Sequence, residues 1–162
     1  MQCTIRKAEP GDEDGIWAAL APVIAAGETY ALPRNMDRAA ALAYWLAPEK
    51  TTYVAEAEGQ IAGTYYLRAN QAGGGAHVAN CGYVTAAWAQ GQGVARVLGA
   101  HSLQAARASG FRAMQFNLVV STNTRAVRLW QALGFAITGT LLGAFAHPVR
   151  GDVDAYVMYR RL

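Results

Sequence analysis

The chain has 162 residues, 53% of them hydrophobic, which is enough for one full core and too little for two comfortable ones. Its net charge of +3 comes from scattered arginines with no basic block interleaved with aromatics, so a nucleic-acid interface is not expected. No apolar run is long and uncharged enough to span a bilayer, so no membrane segment is expected, and Met1–Gly15 lacks the basic-then-apolar order of a leader. Cys3 and Cys81 are too few for a disulfide framework, and no His or Cys group has zinc spacing. Both thiols therefore read as reduced, in a cytoplasmic protein without a metal.

In chain order, Cys3 to Lys7 alternates as a first strand and Pro10-Gly11-Asp12 breaks it. Ile16, Leu20, Val23 and Ile24 then recur at helical spacing up to Gly27. A loop, Glu28 to Met36, leads to a short helix over about Asp37 to Leu46 with Asp37 as N-cap. Thr51 to Ala57 and Gln60 to Arg68 flank Glu58-Gly59 as a hairpin, and Ala72 to Gly75 is a flexible loop. Val78 to Thr85 is an apolar strand. A helix starting near Gly93 carries Val94, Val97, Leu98, His101 and Ala105 on one face and stops at Gly110. Met114 to Val120 reads as a buried strand. Ser121-Thr122-Asn123 opens a helix with Ala126, Val127, Trp130 and Leu133 on its apolar side, ended by Gly134. Phe135 to Leu142 and Val153 to Arg160 are two last strands, separated by a loop containing Pro148 and Gly151. This order predicts one mixed α/β domain over residues 1–162.

The most informative stretch is Gln90-Gly91-Gln92-Gly93-Val94-Ala95-Arg96, between a strand and a helix start. Glycines let the backbone approach a ligand without a Cβ in the way. The first amides of a helix have no intrahelical partner and sit at the positive end of its dipole. Together these make a cradle for phosphate groups.

Gln90-x-x-Gly93-x-Ala95 resembles the acetyl-CoA motif of the GNAT family of N-acetyltransferases. Asn123-x-x-Ala126-x-x-Leu129-Trp130-x-x-x-Gly134-Phe135 resembles that family's second block, and the element order matches over nearly the whole chain. The resemblance implies a mostly antiparallel mixed sheet, flanked by about four helices and splayed between its fourth and fifth strands near Tyr83–Thr85 and Asn117–Val119. The pantetheine arm of acetyl-CoA, the co-substrate, would enter that splay. The pyrophosphate would lie on the backbone of Gly91 through Arg96, Asn123 would contact the arm or cap its own helix, and a homodimer is expected.

The implied reaction is acetyl transfer to an amine of a small molecule, an amino acid or a peptide. An alkyl amine, with a pKa near ~10, must lose a proton before it attacks. The developing charge on the carbonyl oxygen would meet a strand amide near Val84 or Thr85. Trp130 stands where the family usually has a tyrosine that protonates the leaving thiolate, and an indole N–H is no usable acid. Tyr156 or Tyr83 would supply a phenol instead. Glu28, in the first long loop, is a candidate base or an electrostatic partner for the amine, with His147 as a second candidate, while Asp152 and Asp154 either line the acceptor side or end the loop. Ala86 and Ala87 stand where the family has a proline before the glycine loop, and Gln92 replaces a frequent basic residue.

Two other readings compete. A dinucleotide-binding dehydrogenase fails, because Arg96 follows Gly91-x-Gly93 where a third glycine is needed and no acidic residue lies between Ala95 and Leu133. A non-catalytic acyl-CoA sensor of the same fold stays open, motivated by Trp130.

Overall fold

Each stretch takes the structure that its hydrophobic period demands. The computed structural model, which describes residues 1–162, runs β1 (Thr4–Lys7), α1 (Glu13–Ala26), α2 (Arg38–Trp45), β2 (Thr51–Ala57), β3 (Gln60–Ala69) and β4 (Val78–Thr85). It continues through α3 (Val94–Ala108), β5 (Ala113–Val120), α4 (Thr124–Ala132), β6 (Ala136–His147) and β7 (Gly151–Arg161). The helix ends follow their sequence signals. Gly27 caps α1 at φ +64°, and the Asp37 carboxylate accepts the Ala40 N–H at 2.8 Å to start α2.

The strands form one seven-stranded sheet in the order β1-β2-β3-β4-β5-β7-β6. All neighbours are antiparallel except β4 and β5, which run parallel and pair only at Val78–Ala113 and Ala79–Met114. A last tie, from Asn80 Nδ2 to the Gln115 carbonyl at 2.9 Å, closes the paired part. Beyond it the two strands part. The expected splay is therefore present, and β5 carries a bulge at Asn117-Leu118 on its other edge, against β7.

Strand alternation feeds a core on each face of the sheet. Tyr66, Val54 and Val84 pack with Ile16, Leu20, Ile24 and Trp45 of α1 and α2. Tyr65, Met114, Phe116 and Met158 pack with Leu98 of α3 and Trp130 of α4.

One boundary differs from the sequence expectation. β6 continues past Leu142 to His147, and β7 begins at Gly151, so the predicted long loop shrinks to a hairpin tip at Pro148-Val149-Arg150. A register shift between Leu141 and Phe145 absorbs Leu142-Gly143-Ala144. Gly143, at φ +59°, donates its N–H to Asp154 Oδ1 at 2.9 Å, and Phe145 is buried as an anchor.

Arg6 of β1 ties three elements together. Its guanidinium donates to both oxygens of Asp12 at 2.7 and 2.8 Å and to Glu56 of β2 at 3.1 Å, while Asp12 also accepts the Glu9 N–H at 2.7 Å. The Arg6 guanidinium holds the Asp12 carboxyl below its ordinary range. A lowered native pKa means stability that is present above the unfolded value, near ~4, and lost as pH falls through the native one. Arg6 is about a third exposed, so solvent screens the pair. Asp12→Asn is expected to cost about 1–2 kcal/mol at pH 7. Urea unfolding across pH should show that difference shrinking in acid and vanishing below the native pKa of Asp12.

Candidate active site

The site begins with backbone parity. The Ala86 N–H reaches the Ala62 carbonyl and the Asn70 N–H reaches the Val78 carbonyl, so the even positions of β4 are hydrogen-bonded to β3. Val84 is one of them, and its amide is turned toward β3. Tyr83 and Thr85 present their amides and carbonyls to the opposite edge, where β5 has moved away. Of the two amides expected to face a reacting carbonyl, geometry leaves Thr85, and Val84 contributes only its side chain to the cavity wall.

Between the parted strands lies a cleft of about 820 Å³. Tyr83, Val84 and Thr85 line it from β4, Phe116 through Val120 from β5, and Gln90, Gly91 and Gly93 through Arg96 from the glycine loop. Asn123 and Trp130 close it from α4. The loop carries the features of an anion cradle. Gly91 and Gly93 have φ of +76° and +85°, and a Cβ on either would meet no protein atom within 4 Å. The amides of Gly91, Gln92, Gly93, Val94 and Ala95 have no protein acceptor. Arg96 differs: its N–H already reaches the Gly93 carbonyl at 3.1 Å, so the free run of donors ends one residue before the expected limit. Gln92 points its side chain away, donating to the Trp88 carbonyl at 3.1 Å.

The loop between α1 and α2 crosses the mouth of the cleft. Tyr30 donates its hydroxyl to the Tyr83 carbonyl at 2.9 Å and sets its ring edge-on against Trp45 at 5.9 Å. Burial raises the Tyr30 pKa, so the phenol keeps its proton at neutral pH. This pin places Glu28, two residues earlier, where the cleft meets a second cavity of about 320 Å³. Glu28, Thr29 and Asn123 line both spaces, and Thr122, His147, Val149 and Arg150 complete the smaller one.

The remaining residues sort by what their atoms already do. Asn123 Oδ1 accepts the Ala126 N–H at 3.3 Å as the α4 cap, leaving its Nδ2 without a protein partner, so cap and cleft wall coexist in one side chain. Asn117 commits its amide group to Asn70 at 2.7 Å and Gln115 at 3.0 Å. Trp130 packs at a tilt against Tyr83 at 4.7 Å and Phe116 at 4.9 Å, with its indole N–H neither bonded to protein nor sealed from solvent.

Neither phenol weighed from the sequence offers a free hydroxyl to the cleft, although the Tyr83 ring lines it. The Tyr83 hydroxyl turns into the core to meet Ser102 Oγ at 2.7 Å, because the side chain leaves β4 on the α3 face. Tyr156 lines neither cavity: it shares a face of β7 with the fully buried Met158 and packs on the core there. His147 sits at the hairpin tip, where its Nδ1 accepts the N–H groups of Val149 and Arg150, both at 3.2 Å. With Nδ1 occupied by two backbone donors, Nε2 is the ring nitrogen of His147 left free for a ligand in the smaller cavity. Cys81 also lines the cleft, but burial pushes its thiol up to about 12, which rules out a thiolate nucleophile.

Comparison with known proteins bears on this geometry directly. A family model described as "Acetyltransferase (GNAT) family" matches residues 17–135. The chain belongs to that family. N-acetyltransferase aca1 of Schizosaccharomyces pombe is 31% identical over 112 residues, which is 68% of this chain and 54% of that protein. The chain thus spans about half the length of the curated relative it matches. A GNAT structure from Kribbella flavida superposes with a TM-score of 0.94 at 41% identity, covering 99% of this chain and 98% of that one. The yncA protein of Salmonella typhimurium, described as a structure with its cofactor acetyl-CoA, superposes at 0.87 with 22% identity, covering 100% and 95%. The GNAT match takes in the glycine loop and Asn123 and ends before the β6–β7 hairpin.

Tyr30 and Arg150 were not singled out by sequence, since one is a loop tyrosine among apolar residues and the other a solvated arginine by pattern. Tyr30→Phe removes a buried hydrogen bond net of about 1 kcal/mol, or roughly 2–4 °C in Tm for a domain of this size. Faster amide exchange in residues 28–34 should accompany the shift if Tyr30 pins the loop.

Proposed function

We propose that residues 1–162 act as one N-acetyltransferase domain, moving the acetyl group of acetyl-CoA to a primary amine by direct attack in a ternary complex. The observation that carries this reading is the run of unpartnered amides from Gly91 to Ala95 at the N-terminus of α3, opening onto the cleft between β4 and β5. A diphosphate needs several preorganised N–H donors at a helix N-terminus, and the positive-φ glycines leave it room. The exposed edge of β4 suits a pantetheine arm with amides of its own. Acetyl-CoA supplies an activated thioester.

The protein's own groups do the rest. Thr85 offers a backbone N–H on the open edge, fixed before reaction, to the oxygen that gains charge in the transition state. Glu28, at the junction of the two cavities, accepts the proton that the amine must lose, directly or through a water. The loss of a thiolate, whose conjugate acid has a pKa near ~8.5, needs little acid help. Trp130 fits that requirement: its indole N–H donates a hydrogen bond without giving up a proton, and the ring braces the cleft. Cytoplasmic action fits the two free cysteines, and no helix is long and apolar enough to cross a membrane.

A second copy is the natural partner for β6. This strand ends the sheet, and Ile137, Leu141 and Leu142 are 38%, 42% and 83% exposed. Light scattering should find a dimer that Leu142→Asp converts to a monomer; an unshifted mass would remove this edge from the assembly.

The transfer reading is tested by free-thiol release from acetyl-CoA against a panel of amines, run beside a thermal-shift titration with acetyl-CoA. Release with at least one amine class and stabilisation by acetyl-CoA are expected. Gly93→Trp fills the open space at the cradle and should lose the stabilisation while keeping its fold. Retained affinity in that variant would move the nucleotide elsewhere.

A further inference from the structure

We infer that the acceptor is a small zwitterionic amine, an amino acid in the broad sense, held by Glu28 at its ammonium end and by Arg150 and His147 at a carboxylate, phosphonate or phosphinate end. This inference rests on the acetyl-transfer reading of the cleft.

The smaller cavity shares Glu28, Thr29 and Asn123 with the cleft, and Glu28 is the one charged residue at that junction. Its volume of about 320 Å³ lies at the low end for ligand pockets, which run from about 300 to 1,000 Å³. Val149 is the one apolar residue in its wall. The charges are divided: a carboxylate at the junction, a guanidinium and an imidazole N–H on the hairpin tip. Neither Glu28 nor Arg150 is in a salt bridge, whereas Arg6 and Arg38 each are. Both residues therefore line the cavity without a protein counter-ion.

The tip's own geometry sets the anion end. His147 accepts the Val149 and Arg150 amides through Nδ1, which leaves Nε2–H as its free donor and ties the ring to the backbone of Arg150 itself. An arginine fork beside a fixed N–H donor suits a planar or tetrahedral oxyanion. A polyamine would bring a second cation to Arg150, and a simple alkyl amine or a peptide N-terminus would leave that guanidinium unpaired. The hairpin tip also lies outside the residues that match the GNAT family, as suits a segment that sets an individual acceptor.

Matched pairs of amines test the inference: L-methionine with 3-(methylthio)propylamine, L-phenylalanine with phenethylamine, and 4-aminobutyrate with butylamine. Thiol release from acetyl-CoA should favour the acid-bearing member of at least one pair by about 10- to 100-fold in kcat/KM, mostly through KM, the range for hydrogen bonds to charged groups. Arg150→Gln should erase that preference, and Arg150→Glu should turn it toward putrescine over 4-aminobutyrate. Calorimetric titration of the same pairs into the CoA-saturated protein reads recognition without transfer. Equal kcat/KM within every pair, or a preference that survives Arg150→Gln, overturns the inference and leaves acetyl transfer standing. Arg150-dependent binding of the acid-bearing amines with no thiol release supports the inference and overturns the transfer reading. Failure of every acid-bearing amine to bind overturns the inference.

Discussion

Two parallel strands that stop pairing after Ala79–Met114 are the constraint on which the site depends. An edge left open inside a protein carries amides and carbonyls that need partners. Here the open edges face a cavity, and Tyr30 satisfies one of them at the Tyr83 carbonyl. Trp130 packs where the strands part: its ring meets Tyr83 of β4 at 4.7 Å and Phe116 of β5 at 4.9 Å, and those two rings meet each other at 5.8 Å. α4 can bring it there because Gly99 of α3 has no side chain; a Cβ at that position would lie 2.6 Å from Leu133 and 3.1 Å from the Trp130 ring. A residue that stands in place of a catalytic acid is thus also part of the aromatic core beneath the opening.

From that opening the chemistry follows by position. The glycine loop and the α1–α2 loop both line the cleft, and Glu28 of the latter also lines the smaller cavity. The same tyrosine that occupies the Tyr83 carbonyl fixes the loop carrying Glu28. Loop order, strand edge and the position of Glu28 are therefore coupled through one hydroxyl, and the tip of the β6–β7 hairpin shares the smaller cavity with Glu28.

Much of this was legible in the sequence, and the failures have physical causes. The glycine loop stood out because a change from strand to helix period with two glycines between has few other uses, and both glycines indeed take positive φ. Asn123 was legible as a cap because a short amide before a helix caps it in most settings. Which of Val84 and Thr85 faces the opening was not, since that parity is set by the register of β3 on β4 and not by local pattern. Tyr83 and Tyr156 misled for a related reason: a tyrosine in a strand does not say which face its hydroxyl reaches. The β6–β7 tip was read as a long loop because Gly143 interrupts the alternation, and only the Gly143–Asp154 bond and the buried Phe145 show how the strand carries on.

The most direct measurement is residue-resolved amide hydrogen exchange by NMR, with and without acetyl-CoA. Occupation of the cradle and the open edge should slow exchange at Gly91 through Ala95 and at Thr85. Arg96, already bonded to Gly93, should change little. Unaltered exchange from Gly91 to Ala95 at saturating acetyl-CoA, or protection concentrated away from the β4–β5 cleft, would contradict the placement of the nucleotide and the chemistry built on it.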